Sequence, residues 1–114
     1  MKRMKDVMDK VCESDYEKRL FKAVVRKIGG WKYIWNSPQD YCDASNGVPG
    51  FTYYEDTKRF AKRHIEDILS CLADYQREVG AVEIDADKPL NWLAWFALEY
   101  IANKINDYKE GYYD

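Results

Sequence analysis

His64 is the only histidine in the chain, so any mechanism that moves a proton through an imidazole near neutral pH has to run through it. With Cys42 as nucleophile and Asp43 or Asp40 as orienting acid it would complete a Cys-His-Asp set. No local signature of such a site surrounds these residues, and nothing marks an oxyanion hole. The favoured reading of His64 is a part-buried side chain bonded to a backbone carbonyl or a carboxylate. Glu99 is the sharper signal. It lies in Leu90-Asn91-Trp92-Leu93-Ala94-Trp95-Phe96-Ala97-Leu98-Glu99-Tyr100-Ile101-Ala102, where only Asn91 and Glu99 are clearly polar. A carboxylate there is expensive to bury unless it is paired, and His64, Arg59, Lys62 or Arg63 are its expected partners. A raised pKa would also make Glu99 a general acid, but structural pairs perturb carboxylates as well, and the pair is preferred. No catalytic residue is assigned.

Lys58, Arg59, Lys62 and Arg63 form the clearest basic strip, at i, i+1, i+4 and i+5. With Phe51, Tyr53 and Tyr54 beside it, the strip could stack bases and hold phosphates, although four charges without a recognised motif are more often a solvated helix face. Glu55, Asp56, Glu66 and Asp67 lack the ligand spacing of a calcium loop. Gly29-Gly30 lacks the strand, further glycines and lysine of a phosphate loop. Cys12, Cys42 and Cys71 are odd in number and widely spaced, so neither a disulfide framework nor a four-thiolate zinc site can be drawn, and reduced thiols are expected. No metal or cofactor is predicted.

These residues must be positioned by one domain spanning 1–114, because dividing 114 residues would leave neither half a core. The chain is 46% hydrophobic and 33% charged, too apolar for disorder and too charged for a membrane protein. Its net charge of −2 supplies no field to hold a polyanion or to imitate DNA. No apolar stretch follows the basic Met1-Lys2-Arg3-Met4-Lys5-Asp6 opening, and no run is long enough to span a bilayer, so a cytoplasmic protein is expected. Aromatic residues reach 16%, a composition that suits interfaces as well as cores.

Met4, Val7, Met8 and Val11 give a short helix from about Lys2 to Cys12. Ser14 and Glu17 have the form of a capping box for a helix from Asp15 to Ile28, which Gly29-Gly30 ends. Between 31 and 54, Trp31, Tyr33 and Trp35 alternate and turn residues crowd. That pattern allows a short antiparallel pair with one helical turn from Asp40 to Ala44, and equally an ordered loop. Ala61, Ile65, Ile68, Leu72, Tyr75 and Val79 step by 4, 3, 4, 3 and 4, which predicts one long helix from about Glu55 or Asp56 to Glu78. The acidic connection 81–88 leads to the last helix, Leu90 to Ala102, which is apolar all round and must be covered on every side. The expectation is a mainly α, compact helical bundle around that buried C-terminal helix, with 109–114 loose.

Gly50-Phe51-Thr52-Tyr53-Tyr54 and Asn91-Trp92-Leu93-Ala94-Trp95-Phe96-Ala97-Leu98-Glu99 resemble a pattern found in small uncharacterised proteins of bacteriophages and prophages. The resemblance covers the C-terminal two-thirds and brings no assigned catalytic residue with it. It implies a phage accessory protein of the bacterial cytoplasm that binds a host protein, including CRISPR effectors and other defence machinery. The expected function is thus non-enzymatic inhibition through an aromatic surface of Trp31, Tyr33, Trp35, Tyr41, Phe51, Tyr53 and Tyr54. A nucleic-acid regulator using the 58–63 strip and a small enzyme using Glu99 and His64 are the alternatives, and the oligomeric state is left open.

Overall fold

Ser14 and Glu17 cap each other as their spacing requires. The Ser14 hydroxyl accepts from the Glu17 N–H at 3.3 Å, while the Glu17 carboxylate accepts from the Ser14 hydroxyl at 3.1 Å and the Glu13 N–H at 3.3 Å. The helix they open, α2 (Asp15–Ile28), follows α1 (Met4–Val11) and closes on Gly29 at φ 111°. Four more helices complete the order: α3 (Trp31–Asn36), α4 (Tyr54–Arg63), α5 (Ile65–Val79) and α6 (Pro89–Lys109), with 3-10 turns at Pro38–Tyr41 and Ala44–Asn46. The computed structural model describes residues 1–113 apart from the side chain of Asn46, and among these no residue pairs into a strand.

The stretch from 31 to 54 is therefore helix and turn, not the antiparallel pair that its alternating rings allow. Three alternating residues are a weak pattern, and packing decides their conformation. Trp31 sits between Phe21 and Trp35, with ring centroids 5.9 and 5.5 Å away, and its indole N–H donates to the Lys2 carbonyl at 2.8 Å. Trp35 packs on Tyr108 while the Lys109 ammonium lies over its ring and donates to its carbonyl at 2.7 Å. Ile34, between them, is fully buried. The other half of the supposed pair is turned away at Gly50 (φ 86°), where a Cβ would stand 2.4 Å from the Lys27 carbonyl oxygen.

The single helix expected from Glu55 to Glu78 is two. At His64 (φ −114°, ψ 22°) the backbone leaves the helical region, although its N–H still reaches the Phe60 carbonyl and its C=O accepts from Ile68. The break lets α4 lie chiefly along α6 while α5 lies along α2, where Arg19 donates from Nε and Nη2 to the Asp67 carboxylate at 2.9 to 3.3 Å. The heptad seam lapses at its end, since Val79 is exposed.

Helix α6 is the centre of the molecule. It touches all five other helices and both 3-10 turns, and none of its residues from Leu90 to Ala102 is exposed. Ala94, Ala97, Leu98, Ile101, Ala102 and Ile105 have no accessible surface, and large side chains so buried contribute roughly 1.5–3 kcal/mol each. It runs two turns past Ala102. The tail beyond it is partly held, because Tyr113 packs against the core. Among the described residues no helix is long and apolar enough to cross a membrane.

Candidate functional site

One stripe of α6 is not sealed. Trp92, Trp95, Phe96, Glu99, Tyr100 and Asn103 follow at i, i+3, i+4, i+7, i+8 and i+11, which places them on one face. They floor a groove of about 1480 Å³. One wall is the turn-rich segment with Asp43, Ala44, Phe51 and Tyr54. The other is the start of α2, with Tyr16 and Glu17, and the last turns of α5, with Asp74, Tyr75, Arg77 and Glu78. Four of the rings form a continuous array. Trp92 and Phe96 lie nearly parallel (4°) at 5.8 Å, Phe96 and Tyr100 stack at 5.4 Å, and Tyr75 meets Phe96 at 5.6 Å and Tyr100 at 6.3 Å. Tyr54 meets Trp95 edge-on at 6.2 Å. Trp95 is fixed by its indole N–H, which donates to the Phe51 carbonyl at 3.2 Å, and Asn91 by its amide, which donates to the Tyr54 carbonyl at 2.8 Å.

Glu99 stands in this floor. Its carboxylate accepts the Ala44 N–H at 3.1 Å, and no cation pairs with it among the described residues. Burial pushes its pKa up, the Ala44 N–H pulls it back, and nearby Asp43 pushes it up again. At the end of the groove the buried Glu17 pairs with Lys104 at 3.2 Å and accepts from the Tyr100 hydroxyl at 3.3 Å. Burial works against the Lys104 charge, but Tyr113 and Glu17 together hold its pKa above the ordinary lysine value. Burial raises the Tyr100 phenol, with Glu17 adding to it, and pushes the thiols of Cys12 and Cys71 up to about 12. These thiols stay protonated and are poor nucleophiles.

The residues singled out in the sequence do not form one surface. Phe51 is buried in the groove wall, in edge contact with Phe60 at 5.2 Å, because the turn at Gly50 directs it inward. Trp31 and Trp35 are half-buried and tie α3 to the chain ends. Tyr41 is half-buried, whereas Tyr33, Tyr53 and Tyr54 are exposed, and of the exposed three only Tyr54 lines the groove. In the basic strip Lys58 is half-buried, Arg59 bonds Asp56 at 3.3 Å, and Lys62 and Arg63 are exposed. Glu99 meets none of its expected cations, since those lie on α4 where it turns from the groove. His64 meets Phe60 at 4.8 Å with the two rings tilted by 51°, beside a separate depression of about 110 Å³ lined with Lys27, Asp56, Arg59 and Arg63, so it and Glu99 do not share a site. Cys42 donates its thiol to the Pro38 carbonyl at 3.3 Å.

The groove's own aromatics escaped the sequence reading because α6 segregates its residues by size, not polarity. Alanine, leucine and isoleucine fill the buried side and large rings the other, so both faces read as apolar. The i, i+3, i+4, i+8 run of Trp92, Trp95, Phe96 and Tyr100 around Glu99 was the available signal.

Over residues 1–111 the sequence matches the family described as a domain of unknown function, DUF7222. The chain belongs to the DUF7222 family. No curated protein and no solved structure matches it. The matched span takes in all six helices of this DUF7222 domain and every groove residue except Tyr113.

Proposed function

We propose that the protein is a non-enzymatic binding protein of phage or mobile-element origin that inhibits a host protein complex, such as a CRISPR effector or another defence assembly. Its contact surface is the α6 groove, together with Tyr54 on the rim. The observation that carries this reading is the half-exposed row of Trp92, Trp95, Phe96 and Tyr100 on the most deeply anchored helix of the fold. Tryptophan and tyrosine held on a rigid support give large contact areas with little ordering cost, as interface hot spots require. Binding is favoured over acid–base chemistry because Glu99, the carboxylate on this stripe of α6, does not share a site with His64.

The test is capture from a lysate of host or infected bacteria on immobilised protein, with wild type and Trp92→Ala compared at equal thermal stability. A protein complex retained by wild type and lost by Trp92→Ala supports the reading. Retention by Trp92→Ala with loss on Tyr33→Ala or Tyr53→Ala would move the surface to the outer aromatics, and activity of a host defence effector unaffected by the purified protein would reject inhibition.

A further inference from the structure

The groove is strongly one-sided in charge. Seven carboxylates and two cations line it, and both cations are already paired, Arg77 with Asp74 and Lys104 with Glu17. Glu13, Asp43, Glu78, Glu99 and Asp107 have no cationic partner among the described residues. The rings between these acids already hold cations of the chain itself. The Lys88 ammonium lies 3.9 Å from the centroid of Tyr54, and that of Lys104 lies 5.0 Å from Tyr100.

Resting on the reading of this groove as the recognition surface, we infer that its occupant is an arginine-bearing segment of the partner protein, whose guanidinium groups stack on Trp92, Phe96 and Tyr100 and pair with Glu99 and the neighbouring free carboxylates. A purely apolar segment would cover Glu99 and leave its charge desolvated without compensation, which is costly. A phosphate-bearing ligand would meet five unpaired carboxylates, while the two lining cations, Arg77 and Lys104, are already paired. Arginine satisfies both demands on the site, since the planar, weakly hydrated guanidinium lies flat on aromatic rings while its edge meets a carboxylate with two parallel hydrogen bonds. Lysine provides the charge without the stacking plane.

Titration of the full-length protein with blocked octapeptides of repeated Ser-Arg, Ser-Lys, Ser-Glu and Ser-Leu, and with arginine amide, followed on the indole N–H resonances, tests this. The Ser-Arg peptide is expected to shift the Trp92 resonance saturably with a Kd below about 1 mM. It should bind more tightly than Ser-Lys or arginine amide, weaken as salt is raised, and lose about tenfold in affinity on Glu99→Gln. Glu99→Gln keeps the acceptor for the Ala44 N–H, so folding is retained and the loss reports the charge. Silence of Trp92 toward Ser-Arg overturns the inference, as does equal binding of Ser-Glu or no effect of Glu99→Gln. If Ser-Leu binds in its place, the arginine occupant is wrong while the groove stands as the contact surface. The recognition reading itself fails separately, in the lysate capture with Trp92→Ala.

Discussion

Thr57 is fully buried on the face of α4 that meets the core, and its hydroxyl is the buried side-chain group left without a hydrogen-bond partner among the described residues. A desolvated hydroxyl with no bond costs about 1–3 kcal/mol, so Thr57→Val, which keeps the branched shape, is expected to stabilise the fold by about 1 kcal/mol in a denaturant titration. Glu99 makes a second case of a polar group placed against local preference. Its pKa lies above the ordinary value of 4.5, chiefly through burial, so the folded state holds the proton more tightly than the unfolded chain. Stability contributed at low pH is therefore lost as pH rises from about 4.5 through the folded pKa. Glu99→Gln should remove that loss, and the difference in melting temperature between variant and wild type should grow in favour of the variant across this interval. A flat difference would show that Glu99 is solvated like a surface carboxylate.

At the scale of elements, the joint between α4 and α5 hangs on His64. Burial against Phe60 lowers its pKa below the ordinary 6.5, Arg63 lowers it further, and Asp67 opposes both. A neutral imidazole is thus favoured in the fold. Its contribution to stability is complete above pH 6.5 and declines as pH falls through the folded pKa. Thermal melts of wild type and His64→Gln should converge on acidification below that value, the variant lacking this part of the decline. The same joint shows what was legible in the sequence. α2 could be read to the residue, because Ser14, Glu17 and Gly29 are local chemistry that acts within one turn. α6 could be read as the central helix because its residues are apolar whatever surrounds them. The break at His64 has no glycine or proline to announce it and arises from two different packing partners, α6 for one half and α2 for the other. The helix at Trp31–Asn36 was hidden for the same reason, since Trp31 and Trp35 are placed by Lys2, Phe21, Tyr108 and Lys109, residues far from them in sequence.

For the molecule as a whole, five helices are too few to cover all sides of α6. The faces lined with small aliphatic residues accept close helix packing, and the bulky ring face is the one left to the groove. The candidate site was legible only in part. Aromatic richness pointed to an interface, and Glu99 marked its position along α6, but which rings face outward is decided by the arrangement of neighbours. Trp31 and Trp35 proved to be fasteners, while Trp92 and Phe96 became the accessible array. Hydrogen exchange of the four indole N–H groups in the free protein shows whether this stripe is open for recognition. The Trp31 and Trp95 indoles donate to the Lys2 and Phe51 carbonyls and should exchange slowly, whereas the Trp92 indole, with no acceptor among the described residues, should exchange rapidly with solvent. Protection of Trp92 equal to that of Trp31 and Trp95 would mean that α6 is closed on every side and offers no recognition stripe.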